Sequence, residues 1–387
     1  MAREFIMPRR IITGAGALEA AAPELGRMGK KALIVTGKVM VKIGNCAKVE
    51  EALKSQGIDC SVYSEIIGEP TDVMIENGLK QYKAEGCDFL VAIGGGSPID
   101  SIKAIGALVE NGGSISDFYG KTIDVKMPPM AAIPTTAGTG SEATQFTIIT
   151  DTKRDIKMLL KGGVLMPDLA VCDLQFTMTA PPKITASTGL DALCHAMEAY
   201  TSRKAQPISD TFALSAVKRI FKFLPRAFHN GDDAEAREEM AIAALEAGVA
   251  FNNASVTLIH GMSRPIGALF HVAHGLSNAM LIKECLGFAL EGAYDRFADL
   301  GRAIGAASAE DSDQAAAEKF LSAASALVEE LETPTLEGYG IDRAEFYSRI
   351  EKMAHDAIES GSPANTVRPI TQADVEQMYK NLWDSFS

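Results

Sequence analysis

Histidine, long apolar runs and paired cysteines are all scarce in this chain. Only six of the 387 residues are His. No apolar run approaches the ~20 residues that a membrane-spanning helix needs, and the N-terminal segment MAREFIMPRRIITGAG has no apolar stretch long enough for a secretory signal. The six cysteines include no C-x-x-C pair, which is typical of reduced thiols in a cytoplasmic protein rather than of a disulfide framework. We therefore expect a cytoplasmic protein that does not associate with a membrane.

Positive charge is also in deficit. The chain has 37 Lys and Arg against 50 Asp and Glu, which gives a net charge of −13. Nucleic acids and anionic membrane surfaces both attract clustered Lys and Arg, so this balance disfavours them as partners. The hydrophobic and charged fractions, 47% and 22%, are ordinary for a globular enzyme. A chain of 387 residues is too long for one ordinary core, so we expect two domains.

Short apolar runs alternate with helical patterns in the first half of the chain. This rhythm predicts a Rossmann-like α/β domain over residues 1–182, with a parallel sheet covered by helices on both faces. After Pro181 and Pro182, long helical patterns replace the strands and predict an all-helical domain over residues 183–387. Strands are predicted at 31–36, 60–63, 89–93, 130–133 and 169–172, an antiparallel pair at 147–150 and 158–160, and one helix at 39–56.

A glycine-rich turn follows the third of these strands. FLVAIGGGSPID contains Gly94, Gly95 and Gly96, and the following Ser97 and Pro98 predict a helix start with Ser97 as the N-cap. Glycines let the backbone approach a pyrophosphate, whose charge would meet free N–H groups at the helix start. A tight turn also needs glycine, and the motif is not the GxGxxG of a standard Rossmann unit. Taken alone, the loop leaves nucleotide binding and a plain turn equally open.

A second polar cluster, IPTTAGTGSEAT, ends the predicted strand MAAI. Its hydroxyl groups come from Thr135, Thr136, Thr139 and Ser141. They either satisfy backbone groups in a solvated turn or line a cofactor cleft. Strand ends in open parallel sheets face the ligand crevice, which favours the second interpretation.

Four of the six histidines lie around two short motifs. Asp191 and His195 stand four residues apart in DALCHAMEAY, a run of good helix formers, so both side chains share one helix face. His260 and His274 lie in IHGMSRPIGALFHVAHGLSNAM. One carboxylate and three neutral imidazoles form a complete ligand set for a divalent transition metal. The sequence therefore predicts a metal site, with a capped surface helix as the plain alternative for Asp191 and His195.

Together these motifs resemble the iron-containing (group III) alcohol dehydrogenase family. The matching pieces are GGGSPID, PTTAGTGSE, TGLDALCHAMEAY and the block 247–279, and the N-terminal strand pattern and PITQADVEQMY also fit. The resemblance implies an N-terminal dinucleotide-binding domain, a C-terminal helical metal domain and an active site in the cleft between them. It implies Fe(II) held by Asp191, His195, His260 and His274, although the ligand chemistry suits Zn(II) equally. It assigns the cofactor site to Gly94, Gly95, Gly96, Ser97, Asp100, Thr135, Thr136 and Thr139, with Lys103 in the helix turn after Asp100.

One departure from the family pattern bears on the cofactor. Many members read VTDK where this chain has Val35-Thr36-Gly37-Lys38, so the acidic residue that would bind the ribose hydroxyls is missing. Gly37 leaves space at this cofactor-binding position, and Lys38 brings positive charge. The sequence therefore permits NADP as well as NAD.

A second departure bears on the substrate. Many members carry HxMAH where this chain has His260-Gly261-Met262-Ser263-Arg264. On a helix, Arg264 lies one turn from His260, and a guanidinium in a cleft binds either a substrate anion or a neighbouring carboxylate. His271 is a candidate for the proton relay of the missing His, and a purely structural role is its alternative. We name Arg264 and His271 as candidate catalytic residues.

These observations predict an NAD(P)-dependent, metal-dependent alcohol dehydrogenase or aldehyde reductase that interconverts a short aldehyde and its primary alcohol. Arg264 favours an anionic aldehyde such as sulfoacetaldehyde or succinic semialdehyde, and a neutral short-chain alcohol or diol is the main alternative. A metal-dependent lyase of the dehydroquinate-synthase type and a non-catalytic cofactor-binding protein are the other two. We expect a homodimer or a larger homo-oligomer.

Overall fold

A six-stranded parallel sheet organises residues 6–180. The structure, a computed structural model, describes residues 2–384. The sheet has the strand order β1-β8-β5-β4-β2-β3, and β6 and β7 form a separate antiparallel hairpin. The strands are β1 (Arg10–Thr13), β2 (Lys31–Val35), β3 (Asp59–Tyr63), β4 (Phe89–Gly94), β5 (Met130–Pro134), β6 (Phe146–Asp151), β7 (Ile156–Lys161) and β8 (Leu169–Cys172).

Helices cover both faces of this sheet because its central strands are apolar on both sides. In β2, Leu33 and Val35 belong to one buried cluster, whereas Ala32 and Ile34 belong to the other. Such uninterrupted apolar strands are typical of parallel sheets. The helices of this unit are α1 (Ala17–Met28), α2 (Lys38–Lys42), α3 (Asn45–Ser55), α4 (Asp72–Ala84), α5 (Gly96–Val109) and α6 (Leu174–Thr177).

The strand order places a switch point between β2 and β4. From β2 the chain moves outward to β3, and it then returns to place β4 on the opposite side of β2. Connections diverge there, so a crevice opens beyond the carboxyl ends of these two strands, where ligands of doubly wound sheets bind. Gly37 follows β2 and Gly95 follows β4, which places both at that edge.

The second unit runs from Pro181 to the last described residue, and its regular elements in that range are all helices. The N-terminal segment up to Phe5 groups with this unit. Its central helix is α7, which is buried on nearly every face and packs against α8, α9, α10 and α11. The helices are α7 (Pro182–Thr201), α8 (Pro207–His229), α9 (Ala234–Ala254), α10 (Leu258–Phe270), α11 (His274–Ala289), α12 (Tyr294–Ala303), α13 (Asp313–Glu330), α14 (Leu336–Tyr339), α15 (Arg343–Glu359) and α16 (Gln372–Asp384).

The predicted fold class, a Rossmann-like parallel sheet followed by a helical region, is confirmed. Two local predictions are wrong. The predicted helix over 39–56 is two helices, α2 and α3, because Gly44 between them adopts a left-handed conformation (φ 82°) that ends the first. Ser97 is not the N-cap of α5: the helix begins one residue earlier, and Gly95 takes that position without a side-chain hydrogen bond.

Within residues 2–384, no single helix is both long and apolar enough to cross a bilayer. Only α9 and α10 taken together reach the required length and composition, and they are bent by 104° at their junction.

Candidate functional site

Four side chains of the helical unit converge on one point. Asp191 and His195 come from α7, His260 from α10 and His274 from the first turn of α11. One donor atom from each lies within 4.8 Å of all the others. The Nε2 atoms of His195, His260 and His274 lie 3.9, 3.6 and 3.8 Å from the same oxygen, Oδ1 of Asp191. The structure therefore brings all four predicted metal ligands together.

The spacing of these donors fits a transition-metal ion. Ligands at about 2.1 Å from one tetrahedral ion lie about 3.4 Å from each other, close to the 3.6–3.9 Å found here. One carboxylate and three imidazoles also match the donor preference of Fe(II) and Zn(II). The residues present thus fit the metal that the motifs imply.

Packing fixes the ligand rings before any ion binds. The ring of His195 stacks on Phe251 of α9 at a centroid distance of 4.1 Å and on His260 at 4.5 Å. Asp191, His195 and His260 are buried, whereas the side chain of His274 is 40% exposed. Three of the four side chains are therefore enclosed by protein, whereas His274 is partly accessible to solvent.

Electrostatics bind this group together as well. Burial would raise the pKa of Asp191, but the neighbouring imidazoles outweigh it and hold that pKa well below its usual range. Burial would lower the pKa of His260, yet the carboxylates of Glu198 and Asp191 raise it to about 9. A cation at this position would compete with protons for the same nitrogen lone pairs.

Glu198 and Asn278 touch the predicted ligands, and neither was predicted from the sequence. Glu198, one turn after His195 on α7, is buried and hydrogen-bonds to Nδ1 of His260. Asn278, one turn after His274 on α11, donates from Nδ2 to Oδ1 of Asp191 at 2.7 Å. The same Nδ2 lies 3.2 Å from Nε2 of His260. Helical spacing from a predicted ligand was the signal that could have found them.

Arg264 and His271 occupy different environments. Arg264 lies one turn after His260 on α10, and its Nη1 donates to Oγ of Ser362 at 3.0 Å. Burial lowers the pKa of Arg264, an effect opposed by the charge of Glu198. Within the described chain Arg264 has no carboxylate partner within 4.0 Å, so the ion-pair alternative finds no partner there. His271 is exposed at the end of α10 and is not among the four convergent donors.

In the sheet unit, the predicted cofactor residues follow three neighbouring strands. Gly37 follows β2, the segment Gly95–Ser97 continues β4 into α5, and Thr135 follows β5. A Cβ at Gly96 would lie 3.1 Å from Cγ2 of Thr139, and one at Gly95 would lie 3.5 Å from Oγ1 of Thr136. The glycine loop therefore packs directly on the threonine segment, at the edge where the switch point lies.

Glycine is required at Gly94 itself. Its φ of 153° falls where side chains are strained, and a Cβ would lie 2.6 Å from Cγ of Pro98. The N-cap of α5, Gly95, has no side-chain hydrogen bond to the first N–H groups of the helix, as an anion-binding helix start requires.

A buried lysine joins α5 to the threonine segment, residues 135–144. Nζ of Lys103 donates to the carbonyls of Ser141 (2.7 Å) and Phe146 (2.8 Å) and to Oγ1 of Thr144 (3.0 Å). Asp100 adds hydrogen bonds from Oγ of Ser141 at 2.5 Å and from the backbone N–H of Ile148 at 2.8 Å. Burial lowers the pKa of Lys103 to about 8. The carboxylate of Asp100 is thus hydrogen-bonded to protein groups, and through Ser141 it helps to hold the segment 135–144 against α5.

At Gly37 a carboxylate comes from another strand. Gly37 pairs with Glu65, just beyond β3, and Nζ of Lys38 lies 2.9 Å from Oε2 of Glu65. A Cβ at Gly37 would lie 3.0 Å from the carbonyl oxygen of Ile66. An acidic group is therefore present beside the position where the family motif would carry one.

Known proteins match both units. Residues 8–174 match the family model described as iron-containing alcohol dehydrogenase, and residues 185–383 match that of the Fe-containing alcohol dehydrogenase family, C-terminal. The NAD-dependent methanol dehydrogenase of Bacillus methanolicus is 36% identical over 382 residues, which are 97% of this chain and 99% of that protein.

Solved structures match over the whole length. A 1,3-propanediol oxidoreductase is 31% identical with a TM-score of 0.95, covering 99% of this chain and 100% of its own. A sulfoacetaldehyde reductase from Bifidobacterium kashiwanohense, in complex with NAD+, is 28% identical with a TM-score of 0.90 and full coverage (100%) of both chains.

Fold, donor set and matches define the class: the protein is an oxidoreductase of the alcohol and aldehyde dehydrogenase type. More narrowly, the chain belongs to the iron-containing alcohol dehydrogenase family, as its four motifs predicted.

Proposed function

We propose that this protein is an NAD(P)-dependent alcohol dehydrogenase that interconverts a short aldehyde and its primary alcohol. Its metal ligands would be Asp191, His195, His260 and His274. The observation that carries the proposal is the convergence of three Nε2 atoms on one oxygen of Asp191, at 3.6–3.9 Å. When bound, Fe(II) or Zn(II) would supply Lewis-acid polarisation of the substrate oxygen.

The nicotinamide cofactor would bind at the carboxyl edge of β2, β4 and β5. The first N–H groups of α5, which follow Gly94–Gly96, would hold the pyrophosphate. Thr135, Thr136 and Thr139 would contact the same cofactor from the adjacent strand end. Gly37 leaves room for either ribose form, and the named relatives that state a cofactor state NAD.

Arg264 supports an anionic substrate. Arg264 is partly buried, one turn from His260, and its hydrogen-bond partner within residues 2–384 is the Ser362 hydroxyl. A partly buried cation without a carboxylate partner favours an anion in the site. The likeness to a sulfoacetaldehyde reductase supports the same class, a short aldehyde that carries a sulfonate or carboxylate. His271 is exposed and lies three residues before His274 in the sequence. It would relay a proton between the substrate oxygen and solvent.

A neutral substrate is the second candidate. The likeness to a methanol dehydrogenase (36% identity) and to a 1,3-propanediol oxidoreductase (31% identity) favours it. In that case Arg264 would serve the structure through Ser362 alone.

The test is a reduced-nicotinamide absorbance assay on protein reconstituted separately with Fe(II) and Zn(II). Sulfoacetaldehyde, succinic semialdehyde, propanal and 3-hydroxypropanal would each be tried with NADH and NADPH. Oxidation of either cofactor by an aldehyde supports the proposal. Metal-dependent substrate consumption without net cofactor change would favour the lyase, and cofactor binding without turnover of any substrate would favour a non-catalytic protein.

The oligomeric state completes the proposal. We propose a homodimer or a larger homo-oligomer, which light scattering coupled to size-exclusion chromatography would measure directly. A single species at the 41.1 kDa mass of one chain would contradict it.

A further inference from the structure

One buried carboxylate touches the metal-ligand group without belonging to it. Glu198 is 2% exposed. Its Oε2 accepts a hydrogen bond from Nδ1 of His260. Its Oε1 accepts two more, from Oγ1 of Thr257 at 2.8 Å and from the backbone N–H of Ile259 at 2.7 Å. Both of its oxygens therefore accept hydrogen bonds from one short segment at the start of α10, residues 257–260.

This contact decides which nitrogen of His260 faces the other ligands. A carboxylate can only accept, so Nδ1 of His260 must carry the hydrogen. The lone pair of the neutral ring is then on Nε2, the atom that lies 3.6 Å from Oδ1 of Asp191. A carboxylate behind a histidine also makes the far nitrogen a stronger ligand and fixes the plane of the ring.

The segment that Glu198 grips is strained and held from its other side. Ser255, between α9 and α10, has a φ of 66°, which non-glycine residues rarely adopt. Nδ2 of Asn365 donates to the carbonyl of Val256 at 2.9 Å and to Oγ of Ser255 at 3.1 Å. Such strain persists only where the surroundings enforce it. Glu198 and Asn365 thus hold the turn that delivers His260.

We propose that Glu198 is a positioning residue of the metal centre, which fixes the tautomer and the ring plane of His260 and thereby tightens metal binding. The inference rests on the proposed function, because it presupposes that the four convergent residues bind a metal. It adds a residue that is not one of the four convergent donors.

Glutamine cannot replace this carboxylate. All three groups that Glu198 contacts are donors, namely the Thr257 hydroxyl, the Ile259 N–H and Nδ1–H of His260. The amide of Gln would point two hydrogens at one side of this set and leave donors facing donors. His260 would relieve the conflict by changing its tautomer or its ring plane. A tautomer change would place the hydrogen on Nε2, and a rotation of the ring would move Nε2 away from the other ligands, so either change would weaken metal binding.

The experiment measures Zn(II) dissociation constants on the full-length protein by competition with a chromophoric chelator. Losing such a partner of a ligand typically weakens metal affinity about 10- to 100-fold, and we expect Glu198→Gln to fall in that range. Glu198→Asp keeps the charge but withdraws it by one methylene, so its affinity should lie between the other two. Glu246→Gln is the matched control, since Glu246 is a partly buried carboxylate in the same unit that pairs with Ser215 and Arg219. The d–d absorption of the Co(II)-substituted protein provides a second measurement. It should change in Glu198→Gln and stay as in wild type in Glu246→Gln.

His274→Ala separates the two hypotheses. If it loses Zn(II) and Glu198→Gln binds more weakly than Glu246→Gln, the inference is supported. If it loses Zn(II) while Glu198→Gln keeps wild-type affinity and spectrum, the inference is overturned and the metal site stands. If His274→Ala keeps wild-type affinity, the proposed metal site fails, and the inference fails with it. Should Glu198→Gln not fold, the comparison of wild type with Glu198→Asp decides, and equal affinities overturn the role of Glu198.

Discussion

The candidate site of the helical unit is built from side chains, whereas the proposed cofactor site of the sheet unit is built mainly from backbone. Asp191, His195, His260 and His274 reach one point from three helices. At the sheet edge, Gly94–Gly96 contribute no side chains, and in the proposed function the N–H groups that begin α5 would hold the cofactor. The hydroxyl-bearing threonines pack against the glycines and shape the same surface.

This difference determines how each region can be damaged. Each metal donor is a unique atom, so a single substitution removes it. A backbone N–H survives most substitutions, so the sheet edge is vulnerable mainly through the buried groups that hold its shape, above all Lys103 and Asp100. Substitutions in each region test that contrast.

Removing a metal donor should have the largest effect. His260→Ala and His274→Ala should each lose bound metal and lower kcat/KM on the order of 100-fold or more, since even partners of ligands are worth 10- to 100-fold. The folded state should persist, because α10 and α11 also pack through buried apolar side chains such as Met262 and Met280. Metal analysis and steady-state kinetics check this, with the exposed His355→Ala as control. Full metal occupancy in both variants would remove the assignment.

Lys103→Met tests the support of the sheet edge. Methionine fills the space but leaves the carbonyls of Ser141 and Phe146 without their donor. Breaking a buried charged network costs about 3 kcal/mol or more, so the free energy of unfolding should fall by about that amount in urea titration. The dissociation constant of NADH should rise as the threonine segment loosens, while Zn(II) affinity should not change. Lys80→Met, at an exposed lysine of the same unit, should alter neither quantity. Unchanged NADH affinity in a destabilised Lys103→Met would show that the network serves stability alone.

Glu142 should give the sheet unit a pH dependence. It is 2% exposed, and burial raises its pKa from 4.5 to about 7. A carboxyl group with a raised folded pKa adds stability that is complete below pH 4.5 and is lost as the pH rises through 7. Between pH 4.5 and 7.5, wild type should therefore lose about 3 kcal/mol relative to Glu142→Gln. Urea unfolding of both proteins across this range measures the difference, and parallel pH profiles would show that Glu142 ionises normally.

Arg264 tests the substrate class. A guanidinium paired with a substrate anion is worth about 1.5–3 kcal/mol, so Arg264→Ala should raise KM for an anionic aldehyde by roughly one to two orders of magnitude. Propanal should be nearly unaffected, and Arg264→Lys should recover part of the loss, because an ammonium cannot make the bidentate contact. Kinetics with sulfoacetaldehyde, succinic semialdehyde and propanal compare the three proteins. Equal losses on all three substrates would make Arg264 structural.

The smallest effect is expected at the ribose position. Glu65 pairs with Lys38 beside Gly37, and both side chains are exposed, so the pair is worth less than about 1 kcal/mol. Glu65→Gln should free Lys38 for a 2′-phosphate. The ratio of the NADP dissociation constant to the NAD dissociation constant should therefore fall about threefold, in favour of NADP. Gly37→Asp should shift it toward NAD, although its Cβ meets the Ile66 carbonyl at 3.0 Å. If neither variant moves the ratio, the ribose pocket lies elsewhere.

The convergence of Asp191, His195, His260 and His274 could be predicted because histidine is rare and carboxylate–imidazole spacing on a helix is restrictive. Helical spacing places Glu198 near His195 on α7, but its contact with His260 depends on how α10 packs on α7 and could not be predicted from the sequence. Asn278 was hidden for the same reason. Ser97 was assigned the helix cap because its residue type suits the position, but the helix already begins at Gly96.

The fold could be predicted where burial is strongest. The strands KALIV and FLVAIG are fully or almost fully buried, so composition alone identifies them. The edge strand β1, RIIT, has four residues with an exposed residue at each end, and so short a run carries no such signal. The order of the strands, which creates the switch point, is a property of tertiary packing and appears only in the structure.

X-ray absorption spectroscopy at the metal edge of the purified, metal-loaded protein identifies the atoms that coordinate the bound ion. We predict one ion per chain, coordinated by three imidazole nitrogens and at least one carboxylate oxygen, with no sulfur neighbour. The nearest cysteine in the sequence, Cys194, is fully buried as a free thiol, and its pKa is raised well above its ordinary value by burial. A spectrum with sulfur in the first coordination sphere, or with fewer than two imidazoles, would contradict the Asp191, His195, His260 and His274 site.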